Sequence, residues 1–494
     1  MATAYETEKA NYLQHLDEDS SAGGGNDHAL ETTPLFSRGV RYVTTAKDGE
    51  EEGETHNCNE RLLPQYGLLG FHVGDNPLIV EREPIMLNTR APNSTFLCGS
   101  QGSGKSFTLS CILENCLLPD PKYGTLANPI PGVAFHYNVD DMLNTAEVAS
   151  LCKRGIKVTV LVSHSNYRRL KEAYLKVKGP DDHLNVYPLL FKDDHLSIER
   201  MHKLMAFAEN SENGVPLYVE VIHEMLRKMA INNERFDFAT FRRALDNNET
   251  FAPGQRNMLN MRLNLLQSFL QNRAKAADRP TEDVFKVKPG SLTIVDMSDT
   301  FIDSSTACTL YDICLGLFKQ NRHQDGLIVT LDEAHKYLNK SVGAANFTEH
   351  LLTTIRMQRH QATKVVIATQ EPTISGSLLD LCPVSIVHRF SSPAWFEAIK
   401  DHLAGASSLT TDTLNQKVLF DNIVGLGTGG SFVFATSSFL CVEDGKEKML
   451  ATKVMKMKTR KKQGPDTGRS KMAGDEDKGD ESGLVDSMDD LKVV

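Results

Sequence analysis

Two kinds of apolar pattern alternate along this chain. Short, nearly continuous apolar runs at residues 95–98, 132–137, 156–162, 185–191, 292–297, 327–331, 364–368 and 431–435 read as strands covered on both faces. Between them, apolar residues recur at three- and four-residue spacing, the period of helices; one such helix is expected over 107–118, stopped by Pro119 and Pro121. Strands and helices in alternation predict an α/β domain with a mainly parallel sheet. Residues 196–285 depart from this. They are helical in spacing, rich in Leu, Met, Arg and Asn, and hold no convincing strand, so they read as a helical insertion that divides the α/β core into halves at 61–195 and 286–456. Residues 1–60 and 457–494 lack clustered apolar residues and read as disordered tails, the first acidic and the second of mixed charge. No internal repeat is visible.

At 494 residues and 40% hydrophobic, the chain has room for one large domain or two to three ordinary ones. No apolar run approaches the ~18 residues that a spanning helix needs, so no membrane partner is expected. The beginning, Met1-Ala-Thr-Ala-Tyr-Glu6, has neither the apolar region of a secretory signal nor the basic character of a transit peptide. Nine scattered cysteines without a Cys-x-x-Cys pair argue against structural zinc and a disulfide framework, and fit a reducing compartment, cytoplasm or nucleus. The net charge of −10 comes mainly from residues 1–60, with 13 Asp/Glu against 4 Lys/Arg. It therefore says little about whether the nearly neutral core binds nucleic acid. The basic stretch from Lys456 to Lys462 is open to three readings: an import signal, a nucleic-acid contact or a solvated tail.

The strongest chemical signal is Gly99-Ser100-Gln101-Gly102-Ser103-Gly104-Lys105-Ser106, which fits GxxxxGK[ST] between a strand and a helix. Its glycines let the backbone wrap a phosphate chain with N–H groups pointing inward. Lys105 can reach the β- and γ-phosphates, and the Ser106 hydroxyl can ligate Mg²⁺. The N-terminus of the following helix adds its partial positive charge. The cofactors expected are ATP and Mg²⁺.

Hydrolysis also needs a metal anchor and a group that activates water. The apolar run 327–331 ends in Asp332 and Glu333; Asp332 suits the Mg²⁺ shell, and Glu333 suits the general base. Asp332-Glu-Ala-His335 looks like a helicase signature. However, Lys105 and Asp332 are 227 residues apart, and too little chain follows for a second motor domain. His335 reads as a structural or coupling residue, and Arg389 as structural.

From 289 to 390 the chain resembles the HerA/FtsK superfamily. Pro289-Gly-Ser-Leu-Thr-Ile-Val-Asp-Met-Ser298 is similar to the strand before that superfamily's Walker B element, and Leu331-Asp-Glu-Ala-His-Lys-Tyr-Leu338 to the Walker B itself. Arg356-Met-Gln-Arg359-His360 resembles its Arg-Glu-Gly-Arg-Lys segment, and Ala368-Thr-Gln370-Glu-Pro372 its Ser-Gln-Arg-Pro motif. With the P-loop included, the resemblance spans residues 90–445. It implies a RecA-like P-loop NTPase fold, a γ-phosphate sensor at Gln370, and Arg359 or Arg356 acting on a neighbouring subunit's nucleotide. It further implies a homo-oligomeric, hexameric ring that translocates DNA. The chain departs from the pattern twice: only residues 61–92 stand where HerA proteins carry a barrel, and the Glu-Gly between the arginines is absent.

Rival readings are an ATPase of the same fold that remodels a protein partner or acts as a switch, a small-molecule kinase, and an ATP-binding scaffold. A water-activating Glu333 speaks against the kinase, and a scaffold would leave Lys105 and Glu333 idle. In the insertion, Arg242, Arg243, Arg256, Arg262 and Arg273 can line a channel for phosphates or pair with local acids such as Asp246 and Glu249.

Overall fold

The computed structural model describes residues 25–42, 65–74, 80, 82–140, 144–179, 182–205, 217–232, 236–247, 253–270, 280–322, 326–403, 413–443 and 446–461. Sixteen strands among them form one sheet. In chain order these are β1 (Leu35–Ser37), β2 (Tyr66–His72), β3 (Pro84–Asn88), β4 (Ser94–Cys98), β5 (Gly124–Thr125) and β6 (Gly132–His136). Then come β7 (Lys157–Val162), β8 (Leu184–Pro188), β9 (Ser291–Asp296), β10 (Leu327–Leu331) and β11 (Thr363–Thr369). The last are β12 (Val384–His388), β13 (Gly430–Phe434), β14 (Phe439–Glu443), β15 (Lys446–Met449) and β16 (Met455–Thr459).

Eight of the strands run parallel in the order β12-β4-β11-β10-β6-β9-β7-β8. Their side chains alternate between two cores, as the period of two requires. Phe96, Val133, Phe135, Val329, Leu331, Val365 and Ile367 enter one core; Leu97, Ala134, Ile328, Val366 and Ala368 enter the other. This explains why the strands read as continuous apolar runs. Helices α2 (Lys105–Leu117) and α3 (Tyr167–Val177) cover the second core; α1 (Gly25–Thr32) lies elsewhere.

The insertion supplies α4 (Ile198–Met205), α5 (Leu217–Ile231), α6 (Phe238–Asp246) and α7 (Pro253–Ser268). It packs into the first core beside α8 (Ser304–Gln320) and α9 (Val342–Arg356). Phe135 sits in this core with Tyr311 at 4.8 Å and Phe347 at 5.6 Å between ring centroids, tying β6 to α8 and α9. Full burial of a ring of that size contributes about 1.5–3 kcal/mol. A large, mostly parallel sheet with helices on both faces is the RecA-like P-loop NTPase architecture that the sequence predicted.

The other strands correct the sequence reading. Beyond β12 the sheet continues antiparallel through β13, β16, β2 and β3 to β1, with β14 and β15 at the edge. Residues 25–42, expected to be disordered, form α1 and β1. Phe36 is fully buried there, and Asn88 Nδ2 donates to the Glu31 and Thr33 carbonyls at 3.0 and 3.1 Å. The remainder of 1–60 lies outside the described residues. The expected C-terminal tail likewise begins inside the sheet. In β16, Met455 and Met457 are buried while Lys456 and Lys458 face solvent. That alternation belongs to a half-covered strand rather than to a solvated basic run; residues 462–494 lie outside the described residues.

Arg460, next after β16, is buried. It donates through Nη2 to Glu114 Oε2 of α2 at 2.8 Å and through Nε to the Leu68 carbonyl at 2.8 Å, and it stacks over Tyr123. Arg154 Nε stands 3.8 Å from the other Glu114 oxygen. Arg460→Met strands a buried carboxylate with only this longer contact, so unfolding in urea should show a loss of about 3 kcal/mol. An unchanged midpoint would mean that Arg154 alone neutralises Glu114.

Candidate active site

The chain order places β4 at the point where the order of the parallel strands switches sides. The strands from β11 to β8 lie on one side of it and β12 on the other, and the carboxyl ends beside such a switch point form the ligand crevice of open α/β sheets. The register aligns those ends. Cys98 pairs with Thr369 of β11 and Val387 of β12, and Leu331 of β10 pairs with Ile367. Gly99, Gln370, His388 and Asp332-Glu333 therefore emerge side by side.

The loop Gly99–Ser106 turns sharply. Gly99, Gly102 and Gly104 have φ of 153°, 72° and 106°, and a Cβ at Gly104 would lie 2.8 Å from backbone atoms of Gly429. Only glycine fits there. Ser100 donates its N–H and its hydroxyl to the Arg389 carbonyl at 2.8 and 2.9 Å, and Gly429 N donates to the Ser103 carbonyl at 2.9 Å. The first turn of α2 has no side-chain cap, which leaves its leading amides free for an anion. Lys105 is buried and Ser106 half-exposed at that turn.

Across the crevice, Glu333 sits in left-handed backbone conformation at φ 49°, which turns its side chain away from the direction of the strand. Gln370 Nε2 donates to Glu333 Oε1 at 2.9 Å. Glu333 Oε2 is buried with no hydrogen-bond partner; His335 Nδ1 stands 3.4 Å from it, and burial holds that imidazole below its usual pKa. Asp332 is buried, with its backbone N–H bonded to the Phe135 carbonyl at 3.0 Å. His136, at the end of β6, places Nδ1 3.6 Å from Asp332 Oδ2. Burial pulls the His136 pKa down, but Asp332, Asp296 and Glu333 together raise it to about 9.

These residues fit Mg²⁺ and a nucleotide. The loop backbone leaves no room for a Cβ at Gly99 or Gly104, and Glu333 Oε2 and the Ser103 hydroxyl are buried polar atoms without hydrogen-bond partners. Ser106 and Asp332 supply the hard oxygen donors that Mg²⁺ prefers.

The structure thus gathers Gly99 to Ser106, Asp332, Glu333 and Gln370 at one edge. It does not bring Arg356 and Arg359 there. Arg356 ends α9 and Arg359 lies in α10 (Gln358–Gln361), both exposed, at the start of β11. The strand's rise puts them about 20 Å from Gln370 along the sheet, out of reach of their own site. In the insertion, Arg242 donates to Asp246 at 3.3 Å and Asn260 at 2.9 Å, and Arg243 to Ala239 and Thr240 of its own helix. Arg273, Glu249 and the side chain of Arg262 lie outside the described residues.

The sequence reading passed over His136, His388 and the glycine turn Gly427-Thr-Gly-Gly430. Each carried a visible signal: a histidine closing an apolar strand, and a glycine cluster just before one.

The fold is that of the RecA-like P-loop class. No family model matches the chain, and no curated protein matches it. Among solved structures it is similar to VirB4 of Thermoanaerobacter pseudethanolicus, at 12% identity and a TM-score of 0.48 over 81% of this chain and 97% of that one. It is also similar to the genome packaging NTPase B204 from Sulfolobus turreted icosahedral virus 2 in complex with ATP-gammaS. There the identity is 8% and the TM-score 0.26, over 72% of this chain and 96% of that one. A third is the pCW3 conjugation coupling protein TcpA with ATPgS, at 11% identity and a TM-score of 0.28, over 88% and 71%.

Lys105→Ala should abolish binding of an ATP analogue while leaving the circular dichroism spectrum intact. Glu333→Gln keeps the shape and the contact region of Gln370, so it should retain ATP binding while turnover falls by about 10² or more. Loss of binding in Glu333→Gln would mark the residue as structural.

Proposed function

We propose that this protein is a HerA/FtsK-type ATPase, hydrolysing ATP to ADP and phosphate with Mg²⁺, and that it works as a homo-oligomeric DNA translocase. The observation that carries the reading is the state of Glu333: one carboxylate oxygen is held by Gln370, and the other is buried without a hydrogen bond, 3.4 Å from His335 Nδ1. A carboxylate oriented in this way can take the proton of an attacking water. Lys105 and the loop amides hold the β- and γ-phosphates. Ser106 and Asp332 hold Mg²⁺, which when bound neutralises charge on the phosphate oxygens. Gln370 links the base to the γ-phosphate position and so serves as the sensor.

Arg359, with Arg356 as companion, takes the role of a finger on a neighbouring copy's γ-phosphate, because its own site is at the far edge of the sheet. A guanidinium suits the charge spread over transferring phosphoryl oxygens. The ring implied is hexameric. None of the eight described cysteines forms a disulfide and all are buried, in keeping with a reducing compartment, cytoplasm or nucleus. Among the described residues no helix is long and apolar enough to cross a membrane.

A protein partner in place of DNA is the second reading. The engagement of Arg242 and Arg243 with neighbours in the insertion favours it.

Mixing wild-type chains with an Arg359→Ala, Arg356→Ala double variant should depress turnover below the weighted average. A strictly proportional response would exclude a finger acting between subunits. Double- or single-stranded DNA should raise the ATPase rate at low salt, and the stimulation should fall steeply as salt rises, since phosphate contacts release counterions. If neither form of DNA changes the rate at low salt, the DNA reading fails and the protein-remodelling reading replaces it.

A further inference from the structure

Behind the P-loop, His388, Thr108 and Thr459 form a chain of buried hydrogen bonds. His388 closes β12 and is fully buried. Its Nδ1 lies 3.0 Å from the Gly430 carbonyl, which can only accept, so Nδ1 carries the proton. Burial, with Lys105 nearby, holds the imidazole pKa down to about 4, so the ring is neutral at physiological pH and Nε2 is an acceptor. Thr108, in the first turn of α2, therefore donates its hydroxyl to Nε2 at 3.1 Å. Thr459, the last residue of β16, donates in turn to Thr108 Oγ1 at 2.8 Å. Every member has a fixed role, running Thr459 to Thr108 to His388 to Gly430.

This relay presses on the P-loop from outside the motif. A Cβ at Gly99 would lie 2.6 Å from His388 Cβ, so the histidine walls the first glycine of the loop. Gly430, which accepts from His388, adjoins Gly429, whose backbone meets Gly104 and whose N–H bonds the Ser103 carbonyl. Thr459 N donates to the Gly429 carbonyl at 3.0 Å, and Lys458 Nζ donates to the Thr428 carbonyl. The glycine turn is thus clamped between the P-loop and β16.

We infer that His388 and Thr459 are positioning residues for the phosphate grip, acting through Thr108 and the glycine turn, and that the C-terminal strand β16 is a working part of the nucleotide site. The physical argument is one of pre-organisation. A loop of three positive-φ glycines has little stiffness of its own. Its amides converge on a phosphate only if neighbours fix the backbone beforehand, and the relay fixes both ends of the loop. The inference rests on the nucleotide-binding reading of the P-loop.

The test uses the full chain and ATP-gammaS, measured by calorimetry. Thr459→Val and Thr108→Val each keep the shape and remove the hydroxyl, and each should weaken ATP-gammaS binding about tenfold, the scale of one buried hydrogen bond lost. Thr459→Ser and Thr108→Ser keep the hydroxyl and lose a methyl group; they should bind within about twofold of wild type. The double Val variant should lose little more than the larger single loss, because both remove links of one chain. A packing role predicts the opposite order, with Ser as poor as Val. Val variants that bind like wild type, Ser variants as impaired as Val, or fully additive losses would overturn the inference. Lys105→Ala separates the two levels. If it abolishes binding while the Val variants do not weaken it, only the relay fails. If it binds like wild type, the nucleotide-site reading fails and the relay with it.

Discussion

The site depends on the parallel pairing of β11 with β4 on one side and β10 on the other. These two ladders bring the end of the phosphate-binding strand, the carboxylate pair and Gln370 to a common edge. Side chains alternate faces along each strand, so a slip of one residue would exchange the two cores and move Gln370 away from Glu333. Burial prevents the slip. Val365 and Ile367 are fully buried on one face, and Val366 and Ala368 almost so on the other. Both helical layers therefore hold the register, and the hydrogen bond from Gln370 to Glu333 is its consequence.

Electrostatics divides the carboxyl edge by strand. On the β4 and β12 side stand Lys105 and a neutral His388, with backbone amides facing the crevice. On the β10 and β6 side stand Asp332, Glu333 and Asp296, with His136 raised toward its charged form by these acids. The two histidines end neighbouring parts of one sheet with opposite character: burial lowers the pKa of both, Lys105 adds to that at His388, and carboxylates outweigh it at His136. Such halves suit the polyanion and metal ion of the proposed function.

The antiparallel half of the sheet brings residues 25–42 together with residues 430–443 and 446–461. There β13 pairs with β12, the P-loop strand's neighbour, and β16 pairs with β13. Arg460 locks β16 to α2 through Glu114, and Thr459 meets the same helix one residue earlier. The helix that starts at Lys105 is held along its length by the last strand of the described chain.

Residues that act through their own backbone or through an adjacent neighbour were legible in the sequence. The P-loop, the carboxylates after an apolar strand and seven of the eight parallel strands all have local signatures, because glycine's freedom, a strand's period and a phosphate's geometry operate within a few residues. What the sequence left open were contacts between distant segments. Met455 to Thr459 alternates as a strand does, yet its lysines made it read as a tail. Phe36 lies in a stretch too polar to suggest a core. His388, Thr108 and Thr459 are each ordinary residues, and only the pairing of β12 with β4 and of β16 with β13 makes them one relay. Local chemistry fixed what the loop can hold; burial of strands hundreds of residues apart decided what holds the loop.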